Sequence, residues 1–195
     1  MAKKESTIVN MVMTLLIITG VASVALAFVY NATKGPIAEA KQAKLEEAIG
    51  NVLPEFDKLS EEKKITPADG NDELSFYDAY KGETYVGTAI KTFTDKGFSG
   101  RIWIMVGFAP DGSIVNTAVL EHKETPGLGD KMDVAKGTFP LQFKEKNPAS
   151  FKLSVTKDGG DVQAITAATI SSRAFCDATR RAYDNFMNEK NGGTE

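Results

Sequence analysis

Ile102-Trp103-Ile104-Met105-Val106-Gly107-Phe108-Ala109-Pro110-Asp111-Gly112-Ser113-Ile114-Val115-Asn116-Thr117-Ala118-Val119-Leu120-Glu121 is the stretch that decides the fold class. At its centre, Pro110 presets a turn dihedral, Asp111 accepts hydrogen bonds from nearby backbone, and Gly112 takes conformations other residues avoid. Apolar, β-branched runs at 102–108 and 114–121 flank this turn, so the segment predicts an antiparallel hairpin. The pattern repeats upstream, where 76–80 and 84–93 flank Lys81-Gly82-Glu83. Successive hairpins build an antiparallel sheet, and helical patterns towards both ends of the chain can cover one of its faces.

The C-terminal helical pattern places Phe175, Ala178, Ala182 and Phe186 on one face and leaves Arg173, Arg180 and Arg181 for water. The N-terminal one spans 37–52: Pro36 opens it after a polar hinge at 31–35, and Pro54 ends it. Residues 55–72 are charged and punctuated by Pro67 and Gly70, and read as a surface loop.

Before the hinge, residues 8–30 carry no charge. About 23 residues at roughly 1.5 Å each reach about 34 Å, enough to cross a hydrocarbon core near 30 Å. Lys3 and Lys4 precede the run, and the positive-inside rule then keeps the N-terminus in the cytoplasm. A cleaved signal peptide is the competing reading, with Ala25-Leu26-Ala27 as its processing site. The apolar run continues through Phe28, Val29 and Tyr30, which favours an uncleaved anchor. The expected architecture is therefore α+β: an N-terminal transmembrane helix followed by one domain with an antiparallel sheet flanked by helices. Residues 1–30 form the cytoplasmic N-terminus and anchor of a single-pass inner-membrane protein, and 31–195 an exported domain.

Composition narrows the chemistry. The 195 residues carry a formal charge of −3 with one cysteine and one histidine. Cys176 alone forms neither an internal disulfide nor a thiolate metal site, and His122 alone forms no histidine-rich one. Mild acidity without a basic, aromatic-laced tract argues against nucleic acid. No G-x-S-x-G elbow and no G-x-G-x-x-G turn after a strand supports a hydrolase or a Rossmann nucleotide site.

Two segments remain. Thr166-Ala167-Ala168-Thr169-Ile170-Ser171-Ser172 puts a cluster of hydroxyls where the last helix begins. Hydroxyls there ordinarily cap the free N–H groups, but the same N–H groups and the helix dipole also favour a phosphate. His122-Lys123-Glu124-Thr125-Pro126-Gly127-Leu128-Gly129-Asp130 follows the last hairpin strand, and Pro126, Gly127 and Gly129 make it irregular.

In this order, Glu124-Thr125-Pro126-Gly127-Leu128-Gly129 and the threonine segment resemble the paired signatures of the covalent FMN-binding domain family. That domain occurs in the G subunit of the Rnf ion-translocating electron-transport complex and in the C subunit of the sodium-pumping NADH:quinone reductase. The likeness extends from the anchor through Gly97-Phe98-Ser99-Gly100 to the final helix, and the compact length is more like the Rnf protein. The resemblance implies FMN joined by a phosphoester to Thr169, installed by a flavin transferase that takes it from FAD. Two positions depart from the family pattern: Ala167 stands where glycine is usual, and Gln163 where aspartate is common.

On this reading Thr166, the hydroxyls of Ser171 and Ser172, and the amides from Ile170 to Arg173 meet the phosphate. Glu124, Thr125 and Leu128 border the ring, with amides of Gly127 or Gly129 at its edge and Lys131 near the phosphate or a ring carbonyl. The function implied is an electron-carrying flavoprotein subunit of a membrane-bound Rnf-type ferredoxin:NAD oxidoreductase that moves ions. Its partners would be the membrane, the other subunits and the transferase. The alternatives are the FMN carrier of the sodium-pumping quinone reductase, or a membrane-anchored binding module without redox chemistry.

Overall fold

The computed structural model describes residues 7–67 and 72–192, so Lys3, Lys4 and Gly70 lie outside the described residues. The chain divides into two compact units, Met1–Lys44 and Leu45–Glu195.

The first helix, α1 (Ile8–Val52), runs for 45 residues with Pro36 inside it. The hinge expected at 31–35 and the fresh start at Pro36 are not there. Extending an existing helix adds one bond per residue fixed, whereas restarting one requires a new, costly nucleus. The residues after Pro36 are strong helix formers, rich in Ala, Glu and Lys. Just before it, the Thr33 hydroxyl donates to the Val29 carbonyl at 2.9 Å within a helical turn. The apolar part of α1 is long enough to cross a membrane, and its large side chains are exposed.

The sheet contains β1 (Lys58–Leu59), β2 (Lys63–Ile65), β3 (Leu74–Lys81), β4 (Thr84–Gly97), β5 (Gly100–Phe108) and β6 (Ile114–Glu121), in the order β1-β3-β4-β5-β6, with β2 also on β3. The pairings between these strands are all antiparallel. The central hairpin is as the sequence predicts: Phe108 pairs with Ile114, and Asp111 accepts both the amide and the hydroxyl of Ser113 at 2.9 Å. The segment expected to be a plain loop contributes β1 and β2. These strands of two and three residues lack a readable alternation and exist as partners of β3.

Side chains alternate between the two faces of a sheet, and here both faces are covered. Leu74, Phe76, Ile90, Ile104, Val106 and Phe108 share a core with Ala174, Phe175, Ala178, Ala182 and Phe186 of α2 (Thr169–Gly192). On the opposite face, Tyr77, Ala79, Ala89 and Met105 meet Ala48, Ile49, Val52 and Leu53. The helices thus occupy opposite faces rather than the single face expected.

Residues 122–168 connect β6 to α2 through three short 3-10 turns, Gly129–Met132, Phe139–Phe143 and Thr156–Asp158. Phe139 and Phe143 lie 5.4 and 4.9 Å from the Phe175 ring, centroid to centroid. Buried rings of this size fix the connection against α2 and so fix where its two ends meet.

Candidate functional site

The chain enters α2 through a β-turn closed by the Ala168 amide on the Ile165 carbonyl at 3.0 Å. Its third residue, Ala167, has φ 62°, the left-handed region that such a turn position normally gives to glycine. The first helical bond runs from the Ser172 amide to the Ala168 carbonyl at 3.0 Å. The amides of Thr169, Ile170 and Ser171 come before it and point out of the helix start without a carbonyl one turn back. Thr166 and Ala167 are exposed, and Thr169 is half-buried.

The two serines face inwards. Ser172 is fully buried, donates to the Ala168 carbonyl at 2.9 Å, and accepts the Ile165 amide at 2.9 Å. Ser171 is 2 % exposed and donates to Glu124 Oε2 at 2.5 Å. Their hydroxyls are therefore committed within the fold, contrary to the expectation that both meet a phosphate. The Ser172 amide is likewise already used, so the available donors shift one residue towards Thr169.

Glu124 is the link to the second segment. It is 5 % exposed, and its Oε1 accepts the Ser99 amide at 2.9 Å while Oε2 holds Ser171. One carboxylate thus joins the β4–β5 turn, the loop after β6 and the start of α2. Gly129 is required by this closeness: a Cβ there would lie 2.5 Å from Ser171 Oγ and 2.7 Å from Glu124 Oε2. The loop itself is closed by amides of Leu128 and Asp130 on the Thr125 carbonyl, at 3.2 and 3.5 Å.

Between these elements lies a cavity of about 320 Å³ lined by Phe98, Glu124, Thr125, Leu128, Gly129 and residues 167–171. The two signature segments, some forty residues apart in sequence, form one site. Thr166, Gly127, Lys131 and Ser172 do not line it. Lys131 is exposed, within the 3-10 turn Gly129–Met132. Phe98 is the lining residue outside both signature segments, and sequence reasoning gave it no role at the site, just as it gave none to Ala167 and Ala168 within them. Phe98 is 66 % exposed at the tip of a two-residue turn, where Asn, Asp or Gly would be ordinary, and that misplacement is its signal.

Neither the lone cysteine nor the lone histidine lines the cavity. Burial pushes the Cys176 thiol up to about 12, far from thiolate chemistry. His122 Nδ1 accepts the Glu124 amide at 3.1 Å, a local loop contact. Among the described residues, no cluster of three His, Cys, Asp or Glu groups forms a metal site.

Residues 97–184 match the family model described as an FMN-binding domain. The chain is 33% identical to the G subunit of the ion-translocating oxidoreductase complex of Shewanella amazonensis, over 83% of this chain and 80% of that protein. It is 40% identical to the G subunit of the same complex in Erwinia tasmaniensis, over 59% of this chain and 57% of that protein. A similar match, 40% identical over 53% of this chain and 50% of the relative, is to the G subunit of Vibrio atlanticus.

Proposed function

This chain belongs to the family of G subunits of ion-translocating oxidoreductase complexes, and from that premise we propose that it carries FMN on Thr169 as a phosphoester. It is an FMN-binding electron-transfer subunit of such a complex, anchored in the membrane by α1. The observation that carries the finer assignment is the single cavity shared by both signature segments, with Thr169 in its wall.

The residues suit the group. A volume of about 320 Å³ lies within the usual range for small-molecule sites, roughly 300–1,000 Å³. Phe98, Leu128 and Ile170 are exposed by 66, 40 and 47 % and offer apolar cover for a ring. The outward amides of Thr169, Ile170 and Ser171 suit the phosphate, each charge-assisted bond contributing on the order of 1.5–3 kcal/mol.

Attachment is the work of a flavin transferase. The Thr169 hydroxyl oxygen forms a bond to the FMN phosphorus of FAD, the phosphoanhydride bond breaks, AMP leaves, and the hydroxyl proton is released. Ala167 and Gln163 leave this acceptor intact, since neither carries it. A tether makes rebinding intramolecular and prevents loss of the group from an exported domain. The flavin supplies the electron chemistry, and the protein positions and tunes it. In this reading the N-terminus is cytoplasmic, the domain lies outside, and the flavin passes electrons between neighbouring subunits of a ferredoxin:NAD complex. The NAD site and ion path belong to those other subunits.

The test is co-production with a flavin transferase, followed by intact-mass measurement and fluorescence after denaturing electrophoresis. One FMN adduct is expected on the wild-type chain and none on Thr169→Ala. An adduct retained by the variant would remove Thr169 from the assignment.

A further inference from the structure

Glu124 has a position that hydrogen bonding to a ring or a phosphate does not explain. Among the described residues lining the cavity it is the only ionisable one. Its two oxygens face protein donors, the Ser99 amide and the Ser171 hydroxyl, and no Lys, Arg or His of the described residues forms an ion pair with it. The other buried acid of this loop, Asp130, is paired with Lys136 at 3.2 Å and is thereby compensated. Glu124 is also closely wrapped: a Cβ on Gly97 would lie 2.9 Å from its Oε1, and one on Gly129 would lie 2.7 Å from its Oε2. The carboxylate sits against the first turn of α2, whose dipole favours a negative charge there.

An uncompensated charge in a water-poor wall acts over several ångströms with little screening. Electrons added to a flavin bring negative charge to its ring, and a fixed anion beside the ring opposes them. We propose that Glu124 tunes the redox potential of the bound flavin, holding it lower than an uncharged wall would. This rests on the reading of the cavity as the flavin site. It adds that the wall carries one deliberate negative charge, with Ser99 and Ser171 setting how strongly that charge is felt. Fewer donors to the carboxylate leave more of its field for the ring.

The experiment is a spectroelectrochemical titration of the flavin-loaded full-length protein, its loading verified by intact mass, for wild type, Glu124→Gln and Ser171→Ala. Glu124→Gln keeps the size of the side chain and removes its charge, so the potential should rise. Ser171→Ala keeps the charge and removes a donor, so the potential should fall. A purely structural part for the knot would weaken both variants and move both potentials the same way, if at all. Opposite shifts support the proposal; an unchanged or lowered potential in loaded Glu124→Gln overturns it. Where Glu124→Gln does not fold or load, Ser171→Ala decides: a fall supports the proposal, and no change or a rise overturns it. A wild-type chain without flavin would sink the reading beneath it, whereas a loaded chain with unmoved potentials would sink this inference alone.

Discussion

Four hydroxyls stand within seven residues at the start of α2, yet they divide into two kinds. Ser171 and Ser172 are buried and spend their hydrogen bonds on Glu124, Ala168 and Ile165. Thr166 is exposed and Thr169 half-buried, and neither hydroxyl is hydrogen-bonded among the described residues. The residue types are nearly interchangeable; the direction each side chain takes around the turn and the first helical residues is not. A hydroxyl that faces inwards holds the site together, and one that faces outwards is free for chemistry.

Substitutions at each position separate the two kinds. The largest effect falls on Thr169→Ala, which should abolish the flavin adduct in intact-mass spectra. Its unfolding free energy should stay within about 0.5 kcal/mol, as for other substitutions away from a buried network. Ser172→Ala should show the reverse. It strips a partner from the Ile165 amide and should cost about 1–3 kcal/mol in denaturant melts while the adduct persists. Loss of the adduct without loss of stability in Ser172→Ala would break the division. Ala167→Gly comes next. Relief of the left-handed conformation should outweigh the added chain entropy and raise stability by roughly 0.5–1 kcal/mol. Thr166→Ala should be the quietest, within about 0.5 kcal/mol in stability and without effect on flavin loading by mass.

The two hairpins were readable because turn chemistry and β-rich runs are local signals, and β6 keeps the bounds its sequence suggests. β1 and β2 were not, because strands of two or three residues owe their existence to the edge of β3. The hinge before Pro36 misled because polar residues mark a break only where no helix is already under way. At the site, the pairing of the two segments was legible from their motifs. Which serine turns inwards was not, since that depends on where the first turn of α2 meets Glu124. Phe98, quoted only as part of the turn at 97–100, had no role assigned because a turn aromatic acquires meaning only beside the loop it faces.

The last two turns of α1 are a wall of the sheet's second core, not merely a continuation of the apolar segment before them. A water-soluble version cut after Tyr30 would keep Ala48, Ile49, Val52 and Leu53. One trimmed back to Pro54 would expose the sheet's underside and forfeit roughly 5 kcal/mol or more of apolar burial. Truncation for biophysical work therefore has a natural limit well upstream of the first strand.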